Sequence, residues 1–153
     1  MLITSIKGDE AQVKAMVLRS KSSFYWAMRL LPRKKRTAMF AIYAFCRGVD
    51  DIADESCAVP YKRTRLEKRR TEIIMALDGN PRTSLDRQLL LAKNQFNLNN
   101  SDFLDIIKGV AMDLKDEKAD EQVRIENMNE LTLYCDRVAG AVGRLSNRVF
   151  EVM

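Results

Sequence analysis

Apolar residues at Met39, Ile42, Cys46, Val49 and Ala53 repeat at the three-and-four spacing of a helix with one buried face. Comparable spacing runs through most of the chain, and no segment alternates apolar and polar residues for long, so strand signals are nearly absent. The pattern predicts a first helix over 10–31, stopped by Pro32, which disfavours helical geometry in the residue before it. A second helix starts at Pro32 or Arg33, where proline is tolerated in a first turn, and ends within 56–60. A third spans 61–77 and closes on the turn Asp78-Gly79-Asn80-Pro81. A fourth covers 84–96, and Ser101 is placed to cap a fifth over 102–114. The charged stretch 115–126 is open between a loop and an extension of either neighbour, and a last helix is expected over 128–152. With no internal repeat and no flexible linker, the pattern describes one all-α domain.

Composition narrows the chemistry. The 153 residues amount to about one domain, and 46% hydrophobic with 31% charged suits a globular chain. There is no histidine, which excludes a Ser-His-Asp triad, a histidine base and histidine-bound metal. A glycine-rich phosphate loop is missing as well. The cysteines Cys46, Cys57 and Cys135 form neither a zinc pattern nor a disulfide framework, which fits a reducing cytoplasmic setting. Any metal is then expected to be a hard cation held by carboxylates. A net charge of +5 favours anionic partners such as nucleic acid, an acidic membrane surface or phosphorylated small molecules. The uncharged run 38–46 is far short of the ~20 residues needed to span a bilayer, and the first residues lack the apolar core of a signal peptide. The expected location is cytoplasmic or membrane-peripheral.

Three strings carry candidate chemistry. In Arg47-Gly48-Val49-Asp50-Asp51-Ile52-Ala53-Asp54, helical geometry puts Asp50 and Asp54 on one face, with Arg47 and Tyr43 on the same side. Like charges four apart cost roughly 0.2–0.5 kcal/mol, and carboxylates in a last turn oppose the helix dipole by ~0.3–1 kcal/mol each. A divalent cation bridging them to a phosphate removes that conflict; a solvated acidic helix end is the alternative. In Tyr134-Cys135-Asp136-Arg137-Val138-Ala139-Gly140-Ala141-Val142-Gly143, Gly140 and Gly143 each cost up to ~1 kcal/mol in a helix interior. They fit either close packing of a neighbouring helix or a slot for a long hydrocarbon. The third string is Ser22-Ser23-Phe24-Tyr25-Trp26-Ala27-Met28-Arg29-Leu30-Leu31-Pro32, whose aromatics core packing would also explain. The basic third helix has no interleaved aromatics and reads as a solvated face rather than a nucleic-acid surface.

In this order, the three strings resemble the squalene/phytoene synthase family of head-to-head prenyl transferases, most of all its bacterial presqualene diphosphate synthases. The resemblance rests on Ser23-Phe24-Tyr25 with Leu30-Leu31-Pro32, on Ala41-Ile42-Tyr43-Ala44-Phe45-Cys46-Arg47 leading into Asp50-Asp51-Ile52-Ala53-Asp54, and on the string from Tyr134 to Gly143. It implies an isoprenoid-synthase-like helical bundle around a central cavity. It further implies that Asp50 and Asp54 bind Mg²⁺ and a substrate diphosphate, with Tyr43 and Arg47 in the catalytic set. Ser23 and Phe24, with Tyr43 and Arg47, would line the diphosphate end, Asp51 would bind substrate, and Val138, Val142 and Gly143 would lie along the prenyl chain. Asp113 falls where the family has another acidic site residue and is a further metal candidate. The implied substrate is farnesyl diphosphate or a related prenyl diphosphate, two of which condense to presqualene diphosphate.

Family members run to nearly twice this length and carry a second aspartate-rich motif that has no counterpart here. The chain 1–153 is therefore expected to be a single partial prenyl-synthase domain, the N-terminal half, with negligible turnover by itself. The alternative is an inactive family member that serves in binding or assembly. Bare apolar faces lead to the further expectation of self-association, and the basic balance to that of peripheral membrane contact, with no nucleic-acid partner.

Overall fold

The computed structural model describes residues 2–114 and 139–151, and every regular element among them is helical. In chain order these are α1 (Leu2–Arg19), α2 (Phe24–Arg29), α3 (Arg33–Asp54), α4 (Val59–Leu77), α5 (Ser84–Phe96), α6 (Asn100–Asp113) and α7 (Ala141–Phe150). The all-α expectation holds, and α5 has the bounds that its spacing predicts. Its start is fixed by Thr83, whose hydroxyl accepts from the Asp86 amide at 3.1 Å, and its end by Asn97 in the left-handed conformation. The amino-terminal half of the last expected helix, including Val138, lies outside the described residues.

The stretch expected as one helix over 10–31 is two helices with a sharp break. Ser20 Oγ donates to the Val17 carbonyl at 2.6 Å, and Lys21 turns left-handed at φ 54°, which closes α1. Ser22 Oγ then accepts from the Phe24 amide at 3.2 Å as α2 begins. Serine hydroxyls compete with the helical ladder, and here they win over the apolar periodicity. Helix α6 starts slightly earlier than expected, with Asn99 rather than Ser101 at its N-cap.

Helix α3 is the central post and packs against all six other described helices. Its buried residues include Ala38, Ala41, Ile42, Phe45, Val49 and Ile52. Met39, Cys46 and Ala53, expected in the same stripe, are only half-buried at its margin. Phe45 meets Phe103 of α6 edge-on at 5.3 Å, and Leu66, Ile73, Leu89, Leu145 and Val149 complete the core from the surrounding helices.

Three arginine–carboxylate clamps tie the outer helices together. Arg87 of α5 grips Asp9 of α1 through two bonds of 2.7 and 2.9 Å. Arg69 of α4 holds Asp86 of α5 at 2.8 and 3.1 Å, and Arg144 of α7 reaches Asp102 of α6 at 2.7 Å. All three carboxylates are buried, where such forked, charge-assisted bonds fix geometry as well as adding energy. The basic face of α4 is accordingly only partly solvated: Arg69 turns inward, Lys62 is buried, and Arg65 pairs with Glu55. Among the described residues, no helix is long and apolar enough to cross a membrane.

Candidate functional site

The half-buried margin of α3 opens onto a groove of about 370 Å³ with an almost entirely hydrocarbon lining. Phe24, Ala27, Met28 and Leu31 form one wall from α2 and its end, Met39, Ile42, Tyr43 and Cys46 the floor, and Val142, Ser146 and Phe150 of α7 the other wall. Ala27 and Leu31 stand four apart, as do Val142, Ser146 and Phe150, so each flanking helix offers one continuous face to the groove. The short break before α2 is what gives this helix its own direction, independent of α1.

The acidic residues lie outside the groove lining, beyond Cys46, the last residue of α3 that borders it. Cys46 is one turn before Asp50, close enough that the Asp50 charge, after burial, helps to push the Cys46 thiol up to about 12. Asp50 and Asp54 follow on successive turns, and both are exposed. The Asp50 carboxyl is held above the usual carboxylate range, first by loss of water and then by the Asp54 charge; Arg47 opposes the rise and Asp51 adds to it. The expected face thus exists, and its two carboxylates repel each other across one helical turn.

Arg47 and Asp51 turn to the other flank of α3, where the Arg47 Nε lies 3.2 Å from Asp51 Oδ1. They border a second cleft of about 430 Å³ that also contains Arg19, Ser20 and Tyr43. Tyr43 belongs to both hollows. Its hydroxyl is 3.2 Å from Ser20 Oγ, and its ring centroid is 6.4 Å from that of Phe24. The hydrogen bond ties the α1 terminus to the floor of the groove and fixes the ring between an apolar and a cationic environment.

Phe24, Tyr43 and Val142 border the groove, Arg47 and Asp51 border the second cleft, and Asp50 and Asp54 line neither; Arg47, expected on the Asp50–Asp54 side, is drawn off by Asp51. Ser23 is exposed at the start of α2 and makes no capping bond. Gly143 follows Val142 but does not border the groove, and a Cβ there would meet nothing within 4 Å. Close helix packing against Gly143 is thus not present among the described residues. Asp113 is exposed on the last residue of α6 and joins no cluster: among the described residues no three acidic or cysteine side chains converge as a metal cage. Asp50 and Asp54 nevertheless fit Mg²⁺ as a partial donor set, because this ion commonly takes one or two carboxylates and fills its octahedron with water and phosphate oxygens. Ser20, Ser146 and Phe150 escaped the sequence reading. The four-residue spacing of Val142, Ser146 and Phe150 was the available signal for two of them.

Fold and site together define an all-helical protein in which an apolar groove and an acidic turn follow one another along the same helix. Comparison with known proteins agrees. The squalene/phytoene synthase pattern matches residues 17–153, and the chain belongs to that family. It is 46% identical over 130 residues to a presqualene diphosphate synthase of Rhodopseudomonas palustris, covering 84% of this chain and 44% of that protein. A presqualene diphosphate synthase of Zymomonas mobilis is 41% identical over 150 residues, covering 95% of this chain and 48% of the relative. The crystal structure of squalene synthase HpnC from Alicyclobacillus acidocaldarius superposes with a TM-score of 0.78 at 27% identity, covering 96% of this chain and 53% of that one. The chain spans about half the length of the curated relatives it matches.

Proposed function

We propose that this chain provides the aspartate-bearing wall and the prenyl groove of a head-to-head prenyl transferase that condenses two farnesyl diphosphates to presqualene diphosphate. The observation that carries the reading is adjacency on α3: Cys46 borders the apolar groove, and Asp50 follows it one helical turn later. Family membership supports the reaction class, and relatives named presqualene diphosphate synthase support the product. The inactive alternative finds no support in the structure or the comparisons.

Asp50 and Asp54 would hold Mg²⁺, which when bound neutralises charge on a departing diphosphate. Arg47 adds fixed positive charge nearby. Phe24, Met28, Ile42 and Val142 bury the tail and exclude water, which would otherwise quench an allylic cation as the diphosphate leaves. Tyr43, oriented by Ser20, stands at the junction of tail and head. Ser23, Asp51, Val138 and Gly143 are assigned to substrate contacts, and Asp113 to a further acidic role, on the family resemblance.

The test is calorimetric titration of the purified chain with farnesyl thiodiphosphate, an analogue that resists ionisation. Binding is expected to require Mg²⁺ and to vanish in Asp50→Asn/Asp54→Asn. Binding indifferent to both the metal and the aspartates would refute the assignment of the head group to this helix end.

A further inference from the structure

On the face of α2 away from the groove, Trp26 and Leu30 stand one turn apart and are 63% and 87% exposed. They adjoin a cleft of about 580 Å³ between α1 and α3 whose charged residues are Lys7, Lys14, Arg29, Arg33, Arg36 and a single carboxylate, Glu10. Glu10 is engaged by Arg33 at 3.2 Å, so the cleft keeps a strong positive excess. The apolar pair and the basic cleft form one surface. Arg29 lies in the cleft wall with its guanidinium 5.5 Å from the centre of the Trp26 ring, and Tyr25, also in that wall, meets Trp26 edge-on at 5.3 Å.

We propose that this surface docks the protein on an anionic phospholipid bilayer, with lipid phosphates in the basic cleft and Trp26 and Leu30 inserted at the headgroup boundary. Two chemistries converge on that occupant. A basic cleft alone would suit any polyanion, but a leucine almost wholly in water, beside an exposed tryptophan, gains from an apolar phase next to the charge, which a bilayer supplies together with phosphates. Tryptophan is the side chain most at home at the membrane–water boundary, and cations near an anionic leaflet each add roughly 1 kcal/mol of attraction, about a fivefold gain in binding. Clustered basic residues with aromatic and leucine anchors are how peripheral helices lie on membranes without crossing them. The proposal concerns the outer face of α2 and does not rest on what fills the groove behind it.

The chain's single tryptophan makes the test direct, since its fluorescence reports on Trp26 alone. The purified chain is mixed with phosphatidylcholine vesicles and with vesicles containing phosphatidylglycerol, then sedimented. Expected are binding at least about tenfold tighter to the anionic vesicles, a blue shift of the emission, quenching by bromine-labelled acyl chains, and release by high salt. Lys14→Ala/Arg36→Ala should weaken binding roughly 10- to 30-fold, and Trp26→Ala/Leu30→Ala should abolish retention in moderate salt, with unchanged circular dichroism in both. Equal binding to neutral and anionic vesicles overturns the proposal, as does sedimentation without any change in the Trp26 emission. Failure to bind vesicles, together with saturable binding of inorganic phosphate, of a nucleic acid or of a second copy of the chain at this cleft, assigns the surface elsewhere and also overturns it.

Discussion

Replacing Asp54 by Asn removes one of two carboxylates a single turn apart at the end of α3, a helix with no basic residue in its last turn. Without ligand, the change should stabilise the protein. Relief of the like-charge pair contributes roughly 0.2–0.5 kcal/mol and relief of the opposed dipole roughly 0.3–1 kcal/mol, together about 0.5–1.5 kcal/mol. For a chain of this size that raises Tm by roughly 1–6 °C. With Mg²⁺ and farnesyl thiodiphosphate the order should invert. A ligand at a hundred times its Kd stabilises the parent by about 2.7 kcal/mol, whereas the variant, with half its donor set gone, loses most of that gain. Asp51→Asn is the internal control. Its carboxylate pairs with Arg47 with both side chains more than half exposed, so losing the pair costs between nothing and about 1 kcal/mol, which offsets the relief of the dipole and leaves a smaller gain than Asp54→Asn. Differential scanning calorimetry with and without ligand reads all three. An Asp54→Asn protein that is less stable than the parent without ligand, or that gains as much from the ligand, would show that the acidic pair is not a strained, metal-ready site.

Protonation should act on Asp50 in the same sense as mutation. Because its folded-state carboxyl titrates above the unfolded value, its contribution to stability is fully present below the unfolded value and is lost as pH rises through the folded one. Urea titrations across that window should therefore show a smaller acid loss than in Asp50→Asn, while Mg²⁺-dependent analogue binding weakens on acidification. Asp9 has the opposite sign: its bond to Arg87 lowers its carboxyl, so that clamp stabilises above the usual carboxylate range and is lost as pH falls through the lowered value. Asp9→Asn should cost about 1–3 kcal/mol at neutral pH by urea unfolding, the range for bonds to a charged partner. Gly143→Ala should stabilise α7 by up to about 1 kcal/mol, since the added methyl meets open space; weaker analogue binding by the same variant would place Gly143 at the prenyl chain. Met28→Trp should fill the groove and block farnesyl thiodiphosphate while leaving Mg²⁺-dependent inorganic pyrophosphate binding intact, as measured by calorimetry. Cys46, with its thiol pushed up to about 12, should alkylate far more slowly than Cys57 at pH 8, read by peptide mass spectrometry.

Periodicity made the helical class and the bounds of α5 legible, because α5 has both an apolar face and strong end signals, Thr83 before it and Asn97 after it. It failed at 20–23, where apolar spacing continues across the break but serine hydroxyls and a left-handed Lys21 end the helix. It also placed Met39 and Cys46 in the core stripe of α3, since spacing cannot distinguish a buried position from one that lines a groove. That distinction depends on how far α2 and α7 stand from α3. The carboxylate face of Asp50 and Asp54 was legible from local geometry alone, whereas the orientation of Arg47 toward Asp51 was not, because both carboxylates lie within its reach. Spacing placed Tyr43 on α3 seven residues before Asp50, but its anchor Ser20 comes from another helix, and no local rule pairs residues so distant in sequence.

The site depends on a register within α3. Phe45, Val49 and Ile52 lock one face of the helix into the core, so its rotation about its own axis is set by packing against α5 and α6. Once that rotation is fixed, Met39, Tyr43, Cys46 and Asp50 must fall in a row beside the core stripe, each three or four residues from the last. The first three border the apolar groove, and the fourth is the carboxylate one turn beyond it. The core thus does more than hold the helix. It aims Met39, Ile42, Tyr43 and Cys46 along the groove floor, and α2, freed from α1 by the serine break, supplies Phe24 and Met28 to the groove wall.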